Sequence, residues 1–176
     1  MLQGLGLGIL LKSPMGDELR YVIQLEFKAS NNVAEYEGLV NGLRIAISLE
    51  IRQQLVKEDS QLVVNQVQKE YQCLDDNMAA YLSIVWKLKQ KFERLKVTHI
   101  RRGDNSNVDE LARLASSHSP MLVGVLIKKL LKLSVSIASN ADAAYLGKQS
   151  GRVNEAEFAE TEAALPERKP TWMTLF

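Results

Sequence analysis

The sequence has few of the residues on which several common classes of site depend. Cys73 is its one cysteine, and His99 and His118 are its two histidines. A single thiol cannot form an intrachain disulfide, and so few thiol and imidazole groups argue against a zinc site or a histidine-based catalytic triad. These shortages favour an intracellular protein of a reducing compartment, the cytoplasm or the nucleus.

The sequence also lacks a long apolar run and an excess of charge. Glycines interrupt Met1–Leu11, which has no basic leader, and lysines split Met121–Leu133, which is shorter than a membrane span. Lys and Arg total 22 and Asp and Glu total 21, so no overall positive field would attract nucleic acid. We therefore expect no membrane partner, and any surface for nucleic acid must be local.

The 176 residues, 46% of them hydrophobic, suffice for one core with a tail. The patterns along the chain predict the element order ββαβααβα, which indicates an α/β fold with a mixed sheet flanked by helices. The predicted elements are a hairpin of strands over Gly4–Lys12 and Leu19–Phe27, a helix after Ser30-Asn31-Asn32, a strand over Gln54–Glu58, a helix over Ser60–Gln68, a helix from Asp75 through Phe92, a strand over Leu95–Ile100 and a helix over Val108–Ser117. Residues 1–118 are thus expected to form one domain, and residues 119–176 a linker or poorly ordered tail.

Three segments place a carboxylate or an amide at the end of a predicted element. They are Asn31–Leu39, Asp59–Val64 and Asn105–Arg113, with Glu35, Asp59 and Asp109 as their acidic residues. Oxygen ligands of this kind suit hard divalent cations, and ligands in α/β proteins gather beyond the strand ends.

In this order the three segments resemble the ribonuclease H signature. The amino-acid sequence of Val56–Val67 is similar to that of plant long-terminal-repeat retrotransposon polyproteins. The resemblance covers about Gln3 to Ser117. It implies a ribonuclease H-like fold that cleaves the RNA strand of RNA–DNA hybrids with two Mg²⁺ ions, or with Mn²⁺ as an alternative. It also implies that Glu35, Asp59 and Asp109 are catalytic metal ligands. By the same resemblance Asn31, Asn32, Ser60 and Gln61 contact the nucleic acid.

The sequence departs from the family at its beginning. The family opens with a strand ending in an aspartate-glycine pair, which lies between the hairpin and the strand ending at Asp59, whereas the first acidic residue here is Asp17. We therefore expect an N-terminally truncated domain with weak metal binding and impaired cleavage. The inner edge of the hairpin should pair with Gln54–Glu58, accept another segment such as Leu133–Ile137, or cause self-association. Glu58 stands where a small residue is expected, and it either crowds the site or faces solvent.

Other interpretations remain open for the same residues. Glu35 and Asp109 also suit first-turn carboxylates that complement a helix dipole, and Asp59 also suits a helix N-cap. The amides also suit capping and turns, and the basic run Lys87–Lys96 suits a solvated helix face as well as a DNA contact. The alternative functions are a non-catalytic nucleic-acid-binding remnant and a functionless retroelement fragment.

Overall fold

The structure is a computed structural model that describes residues 5–69, 75–117, 123–135 and 171–175. Its elements are β1 (Leu5–Lys12), β2 (Glu18–Leu25), α1 (Asn31–Ser48), β3 (Gln53–Glu58), α2 (Gln61–Val67), α3 (Asp76–Lys89), β4 (Arg94–His99), a 3₁₀ turn (Arg102–Asn105), α4 (Ser106–Ser117), β5 (Val125–Leu130) and β6 (Thr171–Leu175). Through α4 the order of strands and α-helices is the predicted ββαβααβα, and the mixed α/β fold is confirmed.

The six strands form one sheet in the order β4-β3-β6-β1-β2-β5. The β1–β2 hairpin is antiparallel, with Leu5 opposite Leu25 and Lys12 opposite Glu18. Its turn contains Gly16, whose φ of 97° lies in the region that glycine adopts without strain. β4 is parallel to β3, and β5 is parallel to β2.

The core lies between the sheet and the helices α1 and α3. Alternation along the hairpin turns its apolar side chains towards α1, and the hydrophobic cluster includes Leu7, Ile9, Ile23, Leu25, Leu39, Leu43, Val56, Tyr81 and Val85. The helix α4 packs closely on β1, where a Cβ added at Gly8 would lie 2.6 Å from the carbonyl oxygen of Val108. Across the described ranges, no helix is long and apolar enough to cross a membrane.

Two parts of the stretch expected to be a linker or tail belong to the sheet. β5 pairs with β2 at one edge, and β6 lies in the centre, antiparallel to β1 and parallel to β3. Of the three alternatives for the gap beside β1, the structure shows that another segment fills it, and this segment is β6 and not the candidate Leu133–Ile137. In this position β6 pairs with the backbone N–H and C=O groups of both neighbouring strands, which would otherwise lack partners. The inner edge of β1 from Ile9 to Lys12 is thus paired within the chain.

Candidate functional site

Glu35 and Asp59 lie close to one another where β3 ends. The helix α1 is capped by Ser30, whose Oγ accepts a hydrogen bond from Val33 N at 3.3 Å, and its first turn has no acidic residue. Glu35 therefore lies beyond the first turn and does not act there as a dipole-complementing carboxylate. Burial raises the pKa of Glu35, a hydrogen bond with the Ser60 side chain opposes this rise, and the neighbouring charge of Asp59 adds to it.

Asp59 is held by groups at the end of β4 and in the 3₁₀ turn that follows it. Its side chain is 9% exposed, and the Nε of Arg102 lies 3.3 Å from its Oδ2. His99 Nε2 lies 3.1 Å from the backbone oxygen of Asp59. Burial raises the pKa of Asp59, while the positive charge of Arg102 counteracts that rise. The N-cap of α2 is Ser60, so Asp59 does not have the capping role that was its alternative.

Sequence reasoning missed Arg102 as a member of the site. Its side chain is 82% exposed, and it belongs to the 3₁₀ turn that leads into α4. The available signal was the pair Arg101-Arg102 directly after the predicted strand Leu95–Ile100, because parallel neighbours such as β3 and β4 end at the same edge of a sheet. The sequence alone did not show which arginine turns towards Asp59.

Glu58 is buried beside these residues and does not face solvent. Strand alternation places Gln54, Val56 and Glu58 on one buried face of β3, and Glu58 is 1% exposed. Its Oε1 accepts a hydrogen bond from Ser60 N at 3.3 Å. Burial raises the pKa of Glu58 well above its ordinary value, and the charges of Asp59 and Glu35 add to this rise. The site therefore contains a third carboxyl group that retains its proton to a higher pH than an exposed glutamate does.

Asp109 lies on α4 and forms an ion pair with Arg113 one helical turn further on. Its side chain is 35% exposed. Within residues 5–69, 75–117, 123–135 and 171–175, no group of three acidic, histidine or cysteine residues is placed to hold a metal ion. The structure thus brings Glu35 and Asp59 together but does not join Asp109 to them in such a group.

The fit of a divalent cation to this site is partial. The donors are carboxylate oxygens, which Mg²⁺ prefers, and Glu35 Oε2 is buried without a hydrogen-bond partner among the described residues. That oxygen is an acceptor left free for a cation. The described residues nevertheless supply a pair of neighbouring ligands and not a full set for two ions.

The amides assigned to nucleic-acid contact are mostly accessible. Asn31 and Asn32 are exposed at the start of α1, and Gln61 is exposed at the start of α2. Gln61 Nε2 donates to Asn65 Oδ1 at 3.4 Å. Ser60 is largely buried, and its Oγ accepts a hydrogen bond from Val63 N at 3.4 Å. Ser60 therefore has a structural role as the cap of α2.

Two curated relatives match about half of the chain. A bifunctional protein of Mycobacterium tuberculosis is 33% identical over 85 residues, which are 48% of this chain and 23% of that protein. A putative hydrolase of Enterococcus faecalis is 33% identical over 88 residues, which are 49% of this chain and 64% of that protein. The match therefore spans about a quarter of the mycobacterial relative and less than two thirds of the enterococcal one.

Solved structures of ribonucleases H share the fold. RNase H1 of the archaeon Halobacterium salinarum is 27% identical with a TM-score of 0.59, and the match covers 66% of this chain and 88% of that one. An RNase H1 isolated from compost, in complex with an RNA/DNA hybrid, is 25% identical with a TM-score of 0.59 and coverages of 64% and 86%. The reverse transcriptase-like family matches residues 3–115. The chain, with its ribonuclease H-like sheet and the Glu35–Asp59 pair at the end of β3, belongs to the reverse transcriptase-like family.

Proposed function

We propose that this domain acts on RNA–DNA hybrids and hydrolyses their RNA strand slowly, with divalent cations held by Glu35, Asp59 and Asp109. The observation that carries this proposal is the proximity of Glu35 and Asp59 at the carboxyl end of β3. The fold is shared with an RNase H1 that was solved with an RNA/DNA hybrid. The plant retrotransposon origin implied by the amino-acid sequence around Asp59 is part of the same proposal.

The chemistry expected at the site follows from its oxygen donors. A bound Mg²⁺ would lower the pKa of a water molecule and neutralise charge on the scissile phosphate. Glu35 and Asp59 would bind the ion, and the free Oε2 of Glu35 is already directed into a buried environment. The exposed amides of Asn31, Asn32 and Gln61 would donate hydrogen bonds to sugar hydroxyls, which distinguish RNA from DNA.

Slow cleavage is expected because the described residues place two carboxylates together, whereas two-metal hydrolysis needs enough ligands to hold two ions. Asp109 is paired with Arg113, and Asp59 is paired with Arg102. Each of these carboxylates must give up its ion pair with an arginine before it binds a metal ion. Binding of a hybrid without cleavage would favour the alternative of a non-catalytic nucleic-acid-binding domain.

The experiment measures binding and cleavage separately. Binding of a labelled hybrid is measured by fluorescence anisotropy in Ca²⁺, with duplex DNA of the same sequence for comparison, and cleavage is measured in Mg²⁺ and in Mn²⁺. We expect a preference for the hybrid and slow cleavage that Asp59→Asn and Glu35→Gln abolish. Equal affinity for duplex DNA, or cleavage that survives both substitutions, would contradict the proposal.

Asp17→Asn is the matched control for these carboxylate substitutions. In the sheet register, Glu58 is opposite Leu175, and Leu175 is opposite Ile9. The hairpin turn follows Lys12, towards the other end of these strands. Asp17 is therefore at the opposite end of the sheet from Asp59. Its substitution removes the same charge and should leave both binding and cleavage unchanged.

A further inference from the structure

The strand β6 occupies a slot between β1 and β3. Residues Ile9–Lys12 pair with it on one side in antiparallel register, and residues Gln54–Glu58 pair with it on the other side in parallel register. A strand in this position satisfies its neighbours through the backbone, and backbone pairing alone does not require that the strand come from the same chain.

The occupant of this slot joins the two parts of the sheet that carry the candidate site. On one side β3 leads to Asp59, and on the other side β1 and β2 support α4, which carries Asp109. In the sheet as described, β6 lies between these parts and pairs with both. Occupation of the slot therefore controls how Asp59 and Asp109 are placed relative to one another.

The sequence connection to β6 is long. Residues 136–170 separate Val135, a core residue, from Thr171, the first residue of β6. The pairing of β6 with β1 and β3 is therefore long-range in the sequence, and the same segment of a second copy offers identical backbone pairing. Exchange of an identical element between copies requires no new contact.

We propose that residues 171–175 are a separable complementing strand, and that the slot between β1 and β3 takes this segment from a second copy of the chain as well as from its own. The exchanged form is a dimer in which each sheet is completed by the other copy. This inference concerns assembly of the fold and is independent of any hydrolytic activity.

Cysteine trapping tests the exchange directly. In a Cys73→Ser background, Lys12→Cys and Trp172→Cys are placed on two copies with different affinity tags, because Lys12 lies opposite Trp172. The two proteins are unfolded together, refolded at high concentration and mildly oxidised. The matched control pairs Lys12→Cys with Thr174→Cys, since Thr174 lies opposite Leu10.

We expect a mixed-tag disulfide dimer from the in-register pair, in about tenfold excess over the control, because opposite Cβ atoms lie ~5 Å apart and diagonal ones ~7–8 Å. Equal yields from the two pairs, or no mixed-tag dimer, would overturn the exchange.

A second variant tests the separable strand without cross-linking. Met173→Pro removes a backbone donor from the centre of β6, opposite Leu11 and Val56. We expect a lower melting temperature, and restoration of the wild-type value by a free peptide of residues 166–176. The same peptide carrying the proline is the control. If Met173→Pro melts like the wild type, or if neither peptide restores its folding, residues 171–175 are not a complementing strand.

Discussion

Ser134 and Glu37, far apart in the sequence, meet through two hydrogen bonds in the core. Ser134 N donates to Glu37 Oε1 at 2.6 Å, and Ser134 Oγ donates to Glu37 Oε2 at 2.5 Å. Tyr81 Oη donates to Oε1 at 2.6 Å and Asn41 Nδ2 donates to Oε2 at 3.0 Å, so this fully buried carboxylate has four donors. Burial of a polar group is tolerated when it is hydrogen-bonded in this way. The network attaches the segment after β5 to α1 and α3.

Replacement of Glu37 should therefore destabilise the domain. Glu37→Ala removes the acceptor from four donors, and we expect the free energy of unfolding to fall by about 3 kcal/mol or more, since each buried donor left unsatisfied costs roughly 1–3 kcal/mol. Ser134→Ala removes the hydroxyl, which donates to Glu37 and accepts from Asn41 Nδ2, keeps the backbone donor, and should cost about half as much. Urea unfolding measures both. A loss below ~0.5 kcal/mol in Glu37→Ala would show that the network does not form.

Glu58 should make stability depend on pH in the direction opposite to ordinary acid denaturation. Its pKa is raised above the unfolded value by burial, so the folded chain binds this proton more tightly. The contribution is fully present below the unfolded pKa, near 4.5, and is lost as the pH rises through the folded pKa. Glu58→Gln should thus stabilise the protein at pH 7, where the buried carboxyl group is destabilising, and should have a much smaller effect near pH 4.

Thermal and urea unfolding between pH 4 and pH 8 would measure this difference. Glu93→Gln is the control, because Glu93 lies in an ion pair with Arg52 whose two side chains are 39% and 68% exposed. A Glu58→Gln variant that is less stable than the wild type at pH 7 would contradict the prediction.

Arg102 should weaken cation binding at the candidate site, if the proposed metal site is correct. Its guanidinium group is paired with Asp59 and must be displaced by a metal ion. Because exposed ion pairs contribute about 0–1 kcal/mol, Arg102→Gln should tighten Mn²⁺ binding by no more than roughly fivefold in calorimetry. Arg101→Gln removes the same charge from the preceding residue and should have a smaller effect. Weaker Mn²⁺ binding in Arg102→Gln would mean that Arg102 supports the site.

Gly8 should not tolerate a side chain. An added Cβ would lie 2.6 Å from the Val108 carbonyl oxygen and 2.9 Å from Leu111 Cβ, so α4 would have to move away from β1. We expect Gly8→Ala to lower the free energy of unfolding by about 1–3 kcal/mol, as overpacking usually does. Gly103→Ala is the matched control, since nothing lies within 4 Å of its added Cβ. Equal stabilities of the two variants would contradict the close packing.

The sequence by itself determined the local structure of this protein. Alternation along Leu19–Phe27 predicts β2, and the polar residues at Ser30 and Asp75 predict where α1 and α3 begin, because capping is decided by a side chain and its neighbouring amides. It also placed Glu35 and Asp59 at element ends that the sheet then brings together. The burial of Glu58 was within reach of the sequence, because it follows from the alternation that buries Val56.

Only the tertiary structure decided which segments complete the sheet and the core. β6 was not recognised because Thr171–Leu175 is short and follows Pro166 and Pro170, which favour a loop or a tail. The partner of Glu37 could not be found either, because a serine that caps, turns or reaches a buried carboxylate looks the same in a sequence. The pairing of Asp59 with Arg102 depends on how β3 and β4 end side by side, and that is decided by packing of the whole chain.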